Sequence, residues 1–123
     1  MGSESVCAGG ADLLFPCSGA ADVGALADRA ARKLSTRGVC KMYCTAGIGG
    51  GVEPILKAAR EASTIVALDG CPLDCTKRSL ENAGFTEFRH LRVTDMGFLK
   101  GKTETAESNV AAVAEAVRTA IAD

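Results

Sequence analysis

Aromatic residues are scarce in this sequence: among 123 residues there are four Phe, one Tyr and no Trp. Apolar residues nevertheless make up 47% of the chain, so the core has to be built from Ala, Val, Leu and Ile. An excess of one charge is also missing, since 14 basic residues face 15 acidic ones. A chain without a basic excess lacks the electrostatic footprint of a nucleic-acid-binding protein, and we expect no nucleic-acid partner.

No uninterrupted apolar run reaches the roughly 18 residues of a membrane-spanning helix, so we expect no membrane partner. The opening MGSESVCAGGAD has neither a basic start nor a long apolar stretch, so we expect no secretory signal. Cysteine, by contrast, is abundant, with six in the chain. Six cysteines could form three disulfides in a secreted protein, but without an export signal we predict a cytoplasmic protein with reduced thiols. Clustered reduced thiols are typical of metal or redox sites.

Three of the cysteines are evenly spaced. Cys17, Cys44 and Cys71 lie 27 residues apart, each at or just after the end of a β-type segment. Apolar residues recur at helical intervals between these segments. A period near 27 residues suits one strand, one helix and short turns, so the sequence predicts successive βα units. The predicted strands are 12–16, 39–44, 64–68 and 88–94, and the predicted helices are 22–34, 52–62, 72–82 and 105–122.

Strands that alternate with helices predict an α/β fold. We expect a single-domain, three-layer α/β/α arrangement around a mostly parallel four-stranded sheet, of the Rossmann or flavodoxin type. Residues 11–123 are predicted to form this domain and residues 1–10 a flexible tail. In open sheets of this kind ligands bind beyond the carboxyl ends of the strands. We therefore expect Cys17, Cys44 and Cys71 to meet at that edge.

Cys75 joins this set because it comes one helical turn after Cys71, on a helix predicted to begin at Pro72. Four thiolates suit a tetrahedral ion, and zinc, with Zn–S bonds of about 2.3 Å, is the leading candidate. Thiolates also bind Cu(I) and Fe–S clusters, which are less favoured here. The amino end of the predicted helix would stabilise a Cys71 thiolate. Cys40, inside the second predicted strand, and Cys7, in the tail, are not predicted ligands.

The segment DGCPLDC, residues 69–75, resembles the DGC domain, a family of small proteins named for this Asp-Gly-Cys sequence. The likeness covers most of the chain and includes CSG at 17–19, CTAGIG at 44–49 and TDMGF at 94–98. It implies a zinc ion chelated by four cysteines, which carry over as Cys17, Cys44, Cys71 and Cys75. It implies no particular biochemical role.

Other polar residues fall near the same edge. Asp69 and Asp95 are predicted to orient the ligands by hydrogen bonds, although Asp69 could equally cap the turn that follows it. Lys100 is a further candidate there. His90, in mid-strand, is predicted to be a packed or surface residue and not a ligand. The glycines at 47–51 are predicted to form a turn passing close to the metal, and they match neither a dinucleotide fingerprint nor a P-loop.

Two classes of function remain open. A closed shell of four sulfurs favours a metal-binding protein whose zinc is structural, or is handed to or sensed for a partner. Three sulfurs and an open position, or a free Cys71, favour a small metal-dependent enzyme or a thiol- or persulfide-transferring one. Phosphatase chemistry is disfavoured, because Lys77 stands where a phosphatase loop needs arginine. Thioredoxin chemistry is disfavoured, because the cysteine pairs are spaced Cys-x-x-x-Cys.

Overall fold

One parallel sheet organises the protein, whose computed structural model describes residues 11–122. Its strands are β1 (Asp12–Pro16), β2 (Lys41–Met42), β3 (Thr64–Asp69) and β4 (Arg89–Arg92), in the order β2-β1-β3-β4. All the pairings are parallel, and Leu14 of β1 lies opposite both Met42 and Val66. The predicted four-stranded α/β fold is therefore confirmed, with a wholly parallel sheet.

Five α-helices cover the sheet in the described residues. They are α1 (Asp22–Thr36), α2 (Thr45–Gly49), α3 (Glu53–Glu61), α4 (Cys75–Asn82) and α5 (Glu107–Ala122). None of the helices within 11–122 has the length and apolarity needed to cross a membrane. The predicted tail, residues 1–10, lies outside the described part of the chain.

Each face of the sheet has its own core, because successive side chains of a strand point to opposite sides. Helices α1 and α5 pack on one face, and α2, α3 and α4 on the other. The first core contains Leu14, Val23, Leu26, Ala27, Ala30, Ala31, Leu34, Val66, Leu68, Val110, Val113 and Val117. The second contains Leu13, Phe15, Ile48, Ala59, Ile65, Ala67 and Leu80. Aliphatic side chains thus fill a core that has few aromatic rings.

A crevice is expected at the carboxyl ends of β1 and β3. Helix α1 follows β1 on one face of the sheet, whereas α4 follows β3 on the other. Neighbouring strands whose chains leave to opposite faces create the switch point at which open α/β sheets bind ligands. Cys17 lies at this point, and its backbone N–H donates to the Leu68 carbonyl across the strand ends at 2.8 Å.

Several element boundaries differ from those predicted. Strand β2 is confined to Lys41–Met42, shorter than the predicted 39–44, because it is an edge strand paired only with β1. Strand β4 ends at Arg92 and continues as a 3-10 helix, Val93–Met96. The glycine-rich segment 47–51 was predicted to be a turn, but its first part belongs to helix α2. Gly50 and Gly51 close that helix by donating N–H bonds to the Ala46 and Ile48 carbonyls.

The helix predicted to begin at Pro72 begins at Cys75 instead. Asp74 has a left-handed backbone, with φ of 56°, which cannot continue a right-handed helix. Its N–H donates to the Cys71 carbonyl at 3.1 Å, so residues 71–74 form a turn. The prediction that the amino end of the helix supports Cys71 was therefore wrong: that end lies at Cys75.

Candidate metal centre

The four cysteines predicted as ligands all lie on the carboxyl side of the sheet. Cys17 directly follows β1, Cys44 follows β2, Cys71 follows β3, and Cys75 is the first residue of α4. Cys17 and Cys71 are half-buried, whereas Cys44 and Cys75 are exposed. All of the cysteines in the described residues are free thiols.

The sulfur of Cys17 has two backbone N–H partners, from Gly19 and Gly70. Burial raises the pKa of the Cys17 thiol, and the charges of Asp69 and Cys75 raise it further, while the two N–H groups act in the opposite direction. The backbone N–H of Cys17 donates to the Leu68 carbonyl, so Cys17 lies beside the end of β3, the strand that leads to Cys71.

Cys71 has a cationic neighbour. Lys100 Nζ lies 3.4 Å from Cys71 Sγ. The loop that carries Lys100 is tied to the start of α1, because Asp22 accepts hydrogen bonds from Gly101 N–H at 2.8 Å and Thr103 N–H at 3.0 Å. A lysine remote in sequence is thus held where its charge would compensate a thiolate.

Three glycines let the turns that carry the cysteines touch backbone to backbone. A Cβ added to Gly70 would lie 2.8 Å from Gly24 N and 2.9 Å from the Val23 carbonyl carbon. A Cβ on Gly24 would in turn lie 2.9 Å from both the N and the O of Gly19. No side chain fits between these segments. The glycine of Asp-Gly-Cys is therefore required by the close approach of the β3–α4 turn to the start of α1.

Asp69 fixes the start of α4. Its carboxylate accepts hydrogen bonds from Thr76 N–H at 2.7 Å and Lys77 N–H at 3.1 Å, and lies 2.8 Å from His90 Nε2. Asp69 is 1% exposed, so these partners replace water. A carboxylate at a helix amino end also interacts favourably with the helix dipole. Asp69 therefore holds the helix whose first residue is Cys75.

Asp74 fixes the turn between Cys71 and Cys75. Arg92 donates to both carboxylate oxygens of Asp74, from Nε and Nη2, each at 2.7 Å. These hydrogen bonds hold the pKa of Asp74 below its usual range. The paired contact supports a left-handed backbone that a non-glycine residue adopts only at some cost.

Sequence reasoning missed Arg92 and the role of Asp74. A signal was present: His90 and Arg92 are two apart in β4, so both side chains point to the same face, next to the end of β3. His90 is packed, with 18% of its side chain exposed, as expected. Asp95 was predicted to orient a ligand; it lies 3.4 Å from Arg92, with 65% of its side chain exposed.

One group of three potential ligands is tightly clustered in residues 11–122. The ligand atoms of Asp69, Asp74 and His90 all lie within 4.8 Å of one another. Both carboxylates already accept hydrogen bonds from α4 amides or Arg92, so this group is a hydrogen-bonded ion-pair network. The four cysteines form no such group, although sulfurs around a zinc ion would be about 3.8 Å apart, given Zn–S bonds of about 2.3 Å. The exposed Cys44 and Cys75 side chains would have to turn inward.

The other two cysteines differ from these four. Cys40 precedes β2 and packs against the core beneath α1. Burial, with a smaller effect of Asp12, raises the pKa of the Cys40 thiol to about 11. It is therefore an unreactive thiol, in keeping with its exclusion from the predicted ligands. Cys7 lies outside the described residues.

Fold and site together define a doubly wound α/β protein with four cysteines at the carboxyl edge of its sheet. A model of the DGC domain matches residues 13–117, and the chain belongs to the DGC domain family. The family predicted from the Asp-Gly-Cys segment is thus confirmed. The chain is similar to the anaerobic and virulence modulator AnvM of Pseudomonas aeruginosa, with 36% identity over 96 residues, covering 78% of this chain and 73% of that protein. No solved structure matches the chain.

Proposed function

We propose that this protein binds one zinc ion through Cys17, Cys44, Cys71 and Cys75. The proposal is supported by one observation: three strand-end cysteines, from three βα units, and the first residue of α4 all lie at one edge of the sheet. Four sulfur donors suit a soft or borderline ion and a tetrahedral geometry, and zinc meets both conditions. The bound ion would supply the positive charge that holds the sulfurs as thiolates.

The four proposed ligands differ in how firmly they are held. Cys17 and Cys71 are half-buried on turns held by glycine contacts and hydrogen bonds, so they form the fixed half of the site. Cys44 and Cys75 are exposed, so rotation of their side chains can close or open the other half. An ion with two movable ligands is suited to exchange. The name of AnvM describes a modulator, and a metal that is sensed or handed to a partner fits such a role better than a permanently enclosed ion.

A second function is favoured by one contact. Lys100 Nζ, 3.4 Å from Cys71 Sγ, can stabilise a thiolate or a persulfide on that sulfur. This arrangement supports an enzyme that transfers a thiol-bound sulfur through Cys71. The two functions differ in one measurable property: a transferase works with a free Cys71 sulfur, whereas a four-sulfur metal site engages it.

Metal content and coordination distinguish the two functions. Reduced protein purified without added metal should contain one zinc per chain by elemental analysis, and X-ray absorption should show four sulfur neighbours. Three sulfurs with one lighter neighbour would favour the enzyme. The absence of metal, with disulfides in its place, would contradict metal binding.

Serine variants identify the ligands. Serine at Cys17, Cys44, Cys71 or Cys75 should each lower the zinc content. Cys40→Ser is the matched control, because Cys40 is four residues from Cys44 but packs against the core beneath α1, and it should retain the full zinc content. Full retention of zinc by a double variant, Cys17→Ser with Cys75→Ser, would show that these sulfurs are not the ligands.

A further inference from the structure

A cavity of about 670 Å³ opens beside Cys17 and Cys44, at the carboxyl ends of β1 and β2. This volume falls within the roughly 300–1,000 Å³ of typical small-molecule sites. Both cysteines line the cavity, so a molecule bound there lies next to two of the four proposed metal ligands. Three large apolar or aromatic side chains also line it: Met42, Tyr43 and Ile55. The cavity therefore offers an apolar wall that ends at cysteine side chains.

A positive charge stands in the lining of the same cavity. Arg32 Nε donates to Asp28 Oδ2 at 2.8 Å, and Ser18 Oγ donates to Asp28 Oδ1 at 2.7 Å. Both oxygens of the Asp28 carboxylate are thus engaged, and its side chain is 22% exposed against 67% for Arg32. The charge that faces an incoming molecule is therefore the guanidinium, oriented by Asp28. A guanidinium recognises carboxylates better than other cations do, because its donors form a planar fork.

We propose that this cavity binds a small organic acid that carries a thiol. Its carboxylate pairs with Arg32, its hydrocarbon body lies against Met42, Tyr43 and Ile55, and its thiol reaches Cys17 and Cys44. Binding of the acid is independent of any metal. The thiol contact rests on the proposed function, because a soft sulfur donor can join or replace Cys44 on an ion held at that edge. The cavity would then be the entry side for a thiol that exchanges with the protein's own ligands.

Three matched probes separate these contributions: hexanoate, 6-mercaptohexanoate and 6-mercaptohexanol. The protein is kept reduced with a phosphine, so that no mixed disulfide forms. With metal-free protein, hexanoate should produce saturable shifts in the backbone NMR signals of Ser18 and of residues 44–46. Arg32→Gln should weaken this binding about three- to fivefold, the size expected for an exposed ion pair. Arg37→Gln is the control, since Arg37 follows the same helix and does not line the cavity.

Two results would overturn the acid site. One is the absence of shifts at these residues, or shifts confined to another surface. The other is equal binding by the Arg32→Gln and Arg37→Gln variants. Neither depends on metal, so the acid site can fail while zinc binding stands, and it can hold while zinc binding fails.

Zinc-loaded protein tests the thiol contact. There 6-mercaptohexanoate should bind at least about tenfold more tightly than hexanoate, and 6-mercaptohexanol should bind less tightly than the mercapto acid. With cobalt in place of zinc, the mercapto acid should also change the cobalt absorption spectrum, because a ligand of the ion changes. Equal affinities of hexanoate and 6-mercaptohexanoate for metal-loaded protein, with an unchanged cobalt spectrum, would show that the sulfur contact is wrong.

Discussion

Replacing Asp69 with asparagine tests whether the start of α4 is held by a buried carboxylate. Asp69→Asn keeps the size of the side chain but removes its charge and one of its two acceptor oxygens. The amide oxygen can still accept from Thr76 N–H. In the wild type, the second carboxylate oxygen accepts a hydrogen bond from Lys77 N–H at 3.1 Å. In the variant the amide nitrogen takes the place of that oxygen, so two donors face and repel each other.

The expected loss follows from these contacts. Leaving one buried N–H group without an acceptor costs about 1–3 kcal/mol. Loss of a negative charge at the amino end of a helix costs about 0.3–1 kcal/mol more, and up to about 2 kcal/mol when the carboxylate is partly buried. Asp69 is 1% exposed but its hydrogen bond with Lys77 N–H is only part-buried, so the middle of the combined range applies and we expect a loss of about 2–4 kcal/mol. That is a large share of the roughly 5–15 kcal/mol by which domains are stable.

Urea unfolding of the reduced, metal-free protein at pH 7 measures this loss. Asp95→Asn is the matched control: it makes the same chemical change at a side chain that is 65% exposed, and it should shift the free energy of unfolding by no more than about 0.5 kcal/mol. Hydrogen exchange gives a local readout, because the Lys77 amide, which loses its acceptor, should lose protection in Asp69→Asn. Equal stability of the two variants, with the Lys77 amide still protected, would refute the role given to Asp69.

Three further predictions concern the surroundings of the site. Gly70→Ala should destabilise the protein by about 1–3 kcal/mol or more, because its Cβ would meet backbone at 2.8 Å. Gly49→Ala is the control: its Cβ would lie 3.6 Å from Ser79 Oγ, and it should be neutral or stabilising. Equal unfolding midpoints of the two variants would contradict the close packing at Gly70. Hydrogen bonds from the Gly101 and Thr103 N–H groups lower the pKa of Asp22, so its stabilising effect is complete above the ordinary value of about 4 and is lost as the pH falls toward the folded-state pKa. The difference in urea midpoint between wild type and Asp22→Asn should therefore shrink below about pH 4, and a constant difference would count against it. If the protein binds zinc as proposed, chelation should lower the melting temperature markedly yet leave a cooperative transition, since the ion would link three βα units and the core would not depend on it. Unchanged melting after verified metal removal would show that the ion is peripheral.

The sequence by itself determined the order of strands and helices and the edge at which the cysteines lie. Both follow from local patterns: apolar periodicity distinguishes strands from helices, and parallel βα units place every strand end on the same side. The even spacing of Cys17, Cys44 and Cys71 was therefore enough to predict a shared edge. The family followed from the Asp-Gly-Cys segment, which is specific in its own right.

Tertiary structure alone decided how that edge is held. Helix α4 begins at Cys75 and not at the predicted Pro72, because Arg92, on another strand, supports the left-handed backbone of Asp74. Asp69 could have been a turn cap or a residue that orients a ligand until its partners on α4 and β4 were known. The Lys100 contact with Cys71 likewise joins segments 29 residues apart. Such contacts depend on the distances between elements. The periodicity of side chains along one segment carries no information about those distances.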